Sequence, residues 1–260
     1  MFHILTVCTG NICRSPLAES LLRQDLPSSA FSVGSAGVMA VPGGQVPRPQ
    51  LRIGKSVGIS DLEHHRARPV TPALLHQTDL VLGMSRTHRK LVVRMDPGAV
   101  RKTFTLREFA HLAAHVTPDD VEECIVQGMQ PLAAAVEAVA RKRGMVPSLG
   151  SPDQLDVVDP FGKARAWYKA SRDQLVPAAD TAAAYLNGIL QIFGETAQVQ
   201  QVTIPQTPVQ GTPSPNVLRK APMAAVHRNK MTEPDIISQG IPQIPKLPKR
   251  AELRRQEARR

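Results

Sequence analysis

Cys8 and Arg14 are separated by five residues, and Ser15 follows the arginine directly, within Val7-Cys-Thr-Gly-Asn-Ile-Cys-Arg-Ser-Pro16. A thiolate is a strong nucleophile, and donors and positive charge around it favour the anion over the thiol. A guanidinium is always charged and can clasp two oxygens of a tetrahedral anion at once. Together they suit displacement at phosphorus, with the phosphoryl group passing to sulfur. A cysteine alone is more often a small buried side chain, so the reading depends on what surrounds the pair.

Ile4, Leu5 and Val7 form a short apolar run that predicts a buried strand ending at Cys8. Pro16 suits the first position of a helix whose apolar residues are Leu17, Ala18, Leu21 and Leu22. Strand, tight loop and helix start would gather the backbone N–H groups of Thr9, Gly10, Asn11, Ile12, Cys13, Arg14 and Ser15 around one phosphate. Asn11 suits the tight backbone of such a loop, since Asx side chains bond to nearby backbone and tolerate its angles. Ser15 can donate its hydroxyl to the Cys8 thiolate. The departing alkoxide also needs an acid. Asp159 is the candidate, held extended by Pro160, with Asp156 as the alternative.

The remaining elements predict an α/β fold. Phe31–Val33 reads as a second strand passing into a Gly34–Gly37 loop, and Leu51, Ile53 and Val57 suggest a helix. Thr71 and Pro72 open a short helix to Gln77, Asp79–Leu82 is a third strand, and Ser85 caps a helix to about Arg94. Lys102–Leu106 is a fourth strand. Strands separated by helices predict a three-layer sandwich: a central four-stranded parallel sheet with helices on both faces. Ligands in such sheets bind at the strands' carboxyl ends, where the Cys8 loop lies. Residues 114–154 read as a helical insertion, a hairpin or lid opened by Thr117 and Pro118, with Cys124 a buried small residue. Ala164–Phe193 reads as a long helix with a kink or break at Pro177, where Trp167 and Tyr168 make core or insertion contacts.

Composition bounds the rest. The 260 residues carry a net charge of +10, but residues 201–260 hold 11 Lys and Arg against four acids, a surplus of seven. The same segment has nine prolines and no aromatic residue, so it cannot bury enough apolar surface to order itself. A phosphatase domain over 1–194 and a disordered Pro-rich basic tail over 195–260 are expected. Three cysteines, two of them in one loop, suggest a reducing compartment, and the cytoplasm is the expected location. No run approaches the roughly 18 apolar residues of a transmembrane segment, and the first apolar run is too short for a signal segment. No His or Cys has metal-ligand spacing, so no metal or cofactor is expected.

The loop Val7–Pro16, so close to the N-terminus, resembles the phosphate loop of low-molecular-weight protein tyrosine phosphatases, and the resemblance extends over about 1–113 and 155–193. It implies a phosphomonoesterase with a cysteinyl-phosphate intermediate and an Asp-Pro acid loop at Asp159. It adds Ser35 and His65 as a second shell anchoring Asn11, with His64 the neighbour to distinguish. It also implies that Cys13 can pair with Cys8 on oxidation. The loop after Ser35 reads Val38-Met-Ala-Val41, and Phe161 stands where the family often has tyrosine, leaving one aromatic wall. A phosphotyrosine protein or a small aryl phosphate is the expected substrate. Two other functions share these residues. Arsenate reductases use the same loop with further cysteines, but none lies between Cys13 and Cys124. A phosphate-binding regulatory module could instead be localised by the basic tail to an anionic surface or nucleic acid.

Overall fold

In the computed structural model, residues 1–147 and 150–193 are described. The expected tail lies outside them. Four strands, β1 (Phe2–Cys8), β2 (Phe31–Gly37), β3 (Leu80–Gly83) and β4 (Thr103–Thr105), form one sheet in the order β2-β1-β3-β4. All three pairings are parallel, in a register that sets Phe2 beside Phe31 and Cys8 beside Gly37. The order reverses between β1 and β3, so the crevice at that switch point opens beside Cys8.

Side chains of successive strand residues alternate between the two faces. Ile4, Leu80 and Leu82 pack in the core with α1 (Arg14–Asp25), α5 (Leu106–Ala113) and α8 (Arg165–Phe193). Leu5, Val7 and Val81 pack on the opposite face with Leu75 of α3 (Pro72–His76) and Val92 of α4 (Arg86–Met95). Both faces are covered, which is why β1 reads as a nearly continuous apolar run. The helix expected around Leu51 is α2 (Arg48–Ser56). Thr71 and Ser85 cap α3 and α4 as expected, accepting from the Leu74 and His88 amides.

Five features differ from the sequence-based expectations. The helix after the phosphate loop starts at Arg14, so Pro16 lies two residues into its first turn, where the amide it lacks would be unpaired anyway. β2 continues through Gly34–Gly37, because pairing to β1 uses only backbone groups. α8 runs unbroken past Pro177, whose exposed position lets water satisfy the carbonyl one turn earlier. Tyr168 is a core residue, but Trp167 is 44% exposed and stacks under Lys163, whose Nζ lies 3.8 Å from the ring centroid. β4 is also shorter than expected, because Thr105 and Glu108 form a capping box that starts α5 at Leu106.

The segment read as an insertion is helical: α6 (Pro118–Val126) and α7 (Pro131–Arg141). Val121 and Cys124 pack on Ala134, Ala135 and Ala138 of α7 and on Ile189 of α8. Its apolar side therefore extends the core along α8, and Cys124 is buried there rather than in the cleft described next.

Candidate active site

Cys8 ends β1 with its side chain buried, and the chain then turns sharply through Asn11. Asn11 has φ 53°, the one positive φ at a non-glycine residue among those described. The turn aims the Asn11 amide at Cys8 Sγ, 3.2 Å away, while the Ser15 hydroxyl donates to the same sulfur at 3.0 Å. Both donors point at the sulfur, where the charge of a nucleophile would sit. The amides of Gly10, Ile12 and Cys13 donate to no protein acceptor among the described residues. No side chain caps the N-terminus of α1, so its dipole also faces the loop. The loop is thus a ring of unused donors around the sulfur.

Asn11 is held on every side. Its Nδ2 donates to Ser15 Oγ at 3.0 Å and Ser35 Oγ at 2.8 Å, and its Oδ1 accepts from the Arg68 amide at 2.9 Å. Its carbonyl oxygen lies 2.8 Å from His65 Nε2, which must therefore carry the proton. His64 is 83% exposed and takes no part. Behind this layer, Glu19 accepts the Ser35 hydroxyl at 2.5 Å and lies 3.9 Å from His65 Nδ1. Gly37 gives the loop its room: a Cβ there would stand 2.6 Å from the Thr9 carbonyl oxygen and 2.9 Å from the Asn11 amide.

Arg14 is almost wholly buried. Its Nη1 donates to the Val157 carbonyl at 3.0 Å, and its Nη2 pairs with Asp159 at 2.7 Å. Its buried Nε has no partner, a donor that the oxygen of a bound tetrahedral anion would satisfy. Asp159, 46% exposed, stands on a loop fastened to the sheet's carboxyl end. Met84 O accepts from the Val157 amide at 2.9 Å, and Leu155 O accepts the Thr105 hydroxyl at 2.7 Å. The alternative acid, Asp156, accepts from the Arg86 backbone amide at 2.7 Å and pairs with its guanidinium at 3.1 Å. Its geometry is that of a loop anchor, leaving Asp159 as the carboxylate on the cleft.

A cleft of about 360 Å³ joins these groups. Cys8, Thr9, Gly10, Ile12, Cys13, Arg14 and Asp159 line it, with Met39, Val41 and Phe161 at an apolar mouth. Asn11, Ser15, Ser35 and His65 stand behind it. Cys13 is buried, and burial, with the nearby Cys8 and Asp159, pushes its thiol up to about 12 against the opposing pull of Arg14. It is a neutral thiol at pH 7.

Two supports were not read from the sequence. Glu19 lies one turn beyond Ser15 on α1, a spacing that puts both on one helix face. His88 is buried beside the loop, its Nε2 2.9 Å from Thr9 Oγ1 and its Nδ1 2.7 Å from Ser85 Oγ. Burial and, after it, Arg14 lower its pKa to about 4, against Asp159 and Asp156. Its one signal in the sequence is its place three residues after the Ser85 cap that follows β3.

Residues 3–142 match the family model described as Low molecular weight phosphotyrosine protein phosphatase. A probable low molecular weight protein-tyrosine-phosphatase EpsP of Ralstonia solanacearum is 39% identical over 105 residues, covering 40% of this chain and 70% of that protein. A protein-arginine-phosphatase of Geobacillus stearothermophilus is 30% identical over 180 residues, 69% of this chain and 92% of its own length. The structure of the tyrosine phosphatase Wzb from Escherichia coli K30 with sulphate superposes with a TM-score of 0.51 at 29% identity, over 72% of this chain and 99% of that one.

Proposed function

The chain belongs to the low molecular weight phosphotyrosine protein phosphatase family, and on that premise we propose that it hydrolyses phosphotyrosine in proteins through a Cys8-phosphate intermediate, with no metal. In the first step Cys8 Sγ attacks phosphorus opposite the ester oxygen. The P–O bond breaks, and Asp159 gives its proton to the departing phenolate. In the second step Asp159 takes a proton from water as that water attacks the phosphoryl group, releasing phosphate and restoring the thiolate. Arg14 and the loop amides hold the three non-reacting oxygens, where charge gathers in both transition states. The Ser15 hydroxyl steadies the thiolate as nucleophile and later as leaving group.

The observation that carries the reading is the placement of Cys8 Sγ. It is held by two donors at the base of a cleft whose wall presents the Arg14–Asp159 pair. Nucleophile, clamp and acid stand together, so the reaction needs no further electrophile. Hydrolysis of p-nitrophenyl phosphate in EDTA tests it. We expect turnover by the parent and none by Cys8→Ser; steady-state turnover by that variant would end the covalent reading.

The apolar mouth formed by Ile12, Met39, Val41 and Phe161 suits a phenyl ring better than a cationic phosphoguanidinium. The arginine-phosphatase relative matches over a longer span, so phosphoarginine is the second substrate to assay. A higher kcat/KM on a phosphoarginine peptide than on its phosphotyrosine counterpart would reverse the assignment.

No helix among the described residues is long and apolar enough to cross a membrane, and a thiol nucleophile suits the reducing cytoplasm as its location. The surplus of Lys and Arg in residues 201–260 makes contact with an anionic surface or nucleic acid part of the proposal. Co-sedimentation of the full chain and of residues 1–194 with anionic vesicles and duplex DNA tests it. Identical behaviour of the two would remove it.

A further inference from the structure

A second recess lies between α2 and the first turns of α8. Arg52 of α2 and Lys163, Arg165, Lys169 and Arg172 line a space of about 210 Å³ that also meets the buried Tyr168. Arg172 pairs with Asp173 at 2.6 Å. Among the described residues, the other four cations have no carboxylate partner, and no acid lines the recess. Elsewhere on the surface, Arg101, just before β4, pairs with Glu137, and within α7 and the residue after it Arg141 pairs with Glu123 and Lys142 with Asp120. Unmatched like charges repel one another and weaken the compact state, so this groove is arranged for an anion that comes from outside.

One short segment, residues 159–163, borders both the catalytic cleft and the groove. Asp159 and Phe161 line the cleft, and Lys163 lines the groove. The chain between Asp159 and Lys163 reaches at most roughly 14 Å, a distance that an extended peptide with one residue in the cleft spans in about four residues. The ring of Trp167 orients the Lys163 ammonium. The chain's own residues 201–260 are cationic and do not complement the groove.

We propose that this groove binds carboxylate side chains flanking the phosphorylated residue, making the enzyme selective for acidic phosphopeptides. The inference rests on the phosphoprotein reading above, and p-nitrophenyl phosphate, which cannot reach the groove, tests that reading separately. The experiment compares full-length parent with Arg52→Glu/Lys169→Glu, both residues lying outside the cleft. The substrates are p-nitrophenyl phosphate, a phosphotyrosine peptide flanked by alanines, and two peptides with glutamates on its N-terminal or C-terminal side.

The parent should prefer at least one glutamate peptide over the alanine peptide by about tenfold in kcat/KM at low salt, and salt should erode that preference. The double variant should lose the preference while keeping kcat/KM on p-nitrophenyl phosphate within about twofold, because screening weakens the effect of distant exposed charges. Residues 201–260 are present in both proteins, so attraction by them cancels. Equal rates of the parent on all peptides would overturn the proposal, as would an acidic preference that survives in the variant. Parent bound to anionic vesicles through Arg52 and Lys169, without any peptide preference, would also overturn it. Absence of p-nitrophenyl phosphate turnover by the parent would instead sink the underlying phosphatase reading.

Discussion

Lowering the pH from 7 to 5 protonates an ordinary histidine but leaves His88 neutral. Its pKa falls from the usual 6.5 to about 4, mainly through burial and then through Arg14. The unfolded chain therefore binds a proton that the native protein refuses, and stability falls with pH across that interval. The contribution of neutral His88 is complete above about pH 6.5, declines as pH drops towards 4, and changes no further below it. At ~1.36 kcal/mol per unit the whole effect is about 3 kcal/mol, of which roughly 2 kcal/mol is lost between pH 7 and pH 5. Urea unfolding of the parent and of His88→Gln at several pH values isolates this, since all other groups titrate alike in both. The variant will be less stable at pH 7, having lost the Thr9 and Ser85 contacts, but its stability should fall by about 2 kcal/mol less between pH 7 and 5. Parallel curves would refute the reasoning. So would an imidazole resonance of His88 titrating near its ordinary value.

Cys8→Ser should keep phosphate-analogue binding while losing turnover, because the loop donors remain, whereas Arg14→Lys should lose both, since an ammonium cannot replace the planar fork; calorimetry with sulfate, which forms no bond to sulfur, checks this. Asp159→Asn should lower kcat by roughly 10²–10⁴ on an aryl phosphate with a poor leaving group, and by less when the phenol is acidic. Equal losses on both, or a larger loss for Asp156→Asn, would move the acid. Arg86→Met should loosen the loop that Asp156 anchors, removing the guanidinium pair but leaving the backbone bond, and lower kcat by up to about tenfold with KM little changed; an unaltered kcat would show that the guanidinium pair is dispensable. Peroxide followed by dithiothreitol should restore the parent through a Cys8–Cys13 disulfide but not Cys13→Ser. Closure should accelerate with pH, because the Cys13 thiol must lose a proton held at about 12.

The phosphate loop was legible because its chemistry is local. An apolar strand, a fixed Cys-to-Arg spacing and a helix start lie within two dozen consecutive residues, and each constrains the next. The four-stranded parallel sheet was legible for a similar reason, since each strand is buried and bounded by a capped helix. Gly34–Gly37 was not, because glycine and serine have loop propensity and the strand there exists through pairing with β1. Gly37 looks like a turn residue, yet its role is to let the Thr9 carbonyl approach. His88 meets Thr9 across 79 positions of sequence and Glu19 meets Ser35 across 16, contacts no periodicity announces. The proline in α8 misleads in the opposite direction. Its local rule is sound, but tertiary packing of Leu175, Ala179, Ala183 and Leu186 along the core keeps the helix intact around it.

The Arg14–Asp159 pair has a consequence for the timing of the cycle. At rest, the carboxylate occupies one of the guanidinium's arms. In the proposed cycle an arriving phosphate ester would displace it, and Asp159, once protonated, would then face the leaving group. Once the thiophosphate has been hydrolysed and Asp159 has shed the proton it took from water, its carboxylate would compete with the product for Arg14 and help to expel it. The protein thus carries a tethered competitor of inorganic phosphate, and product inhibition should be weaker in the parent than in a variant whose acid loop carries an amide.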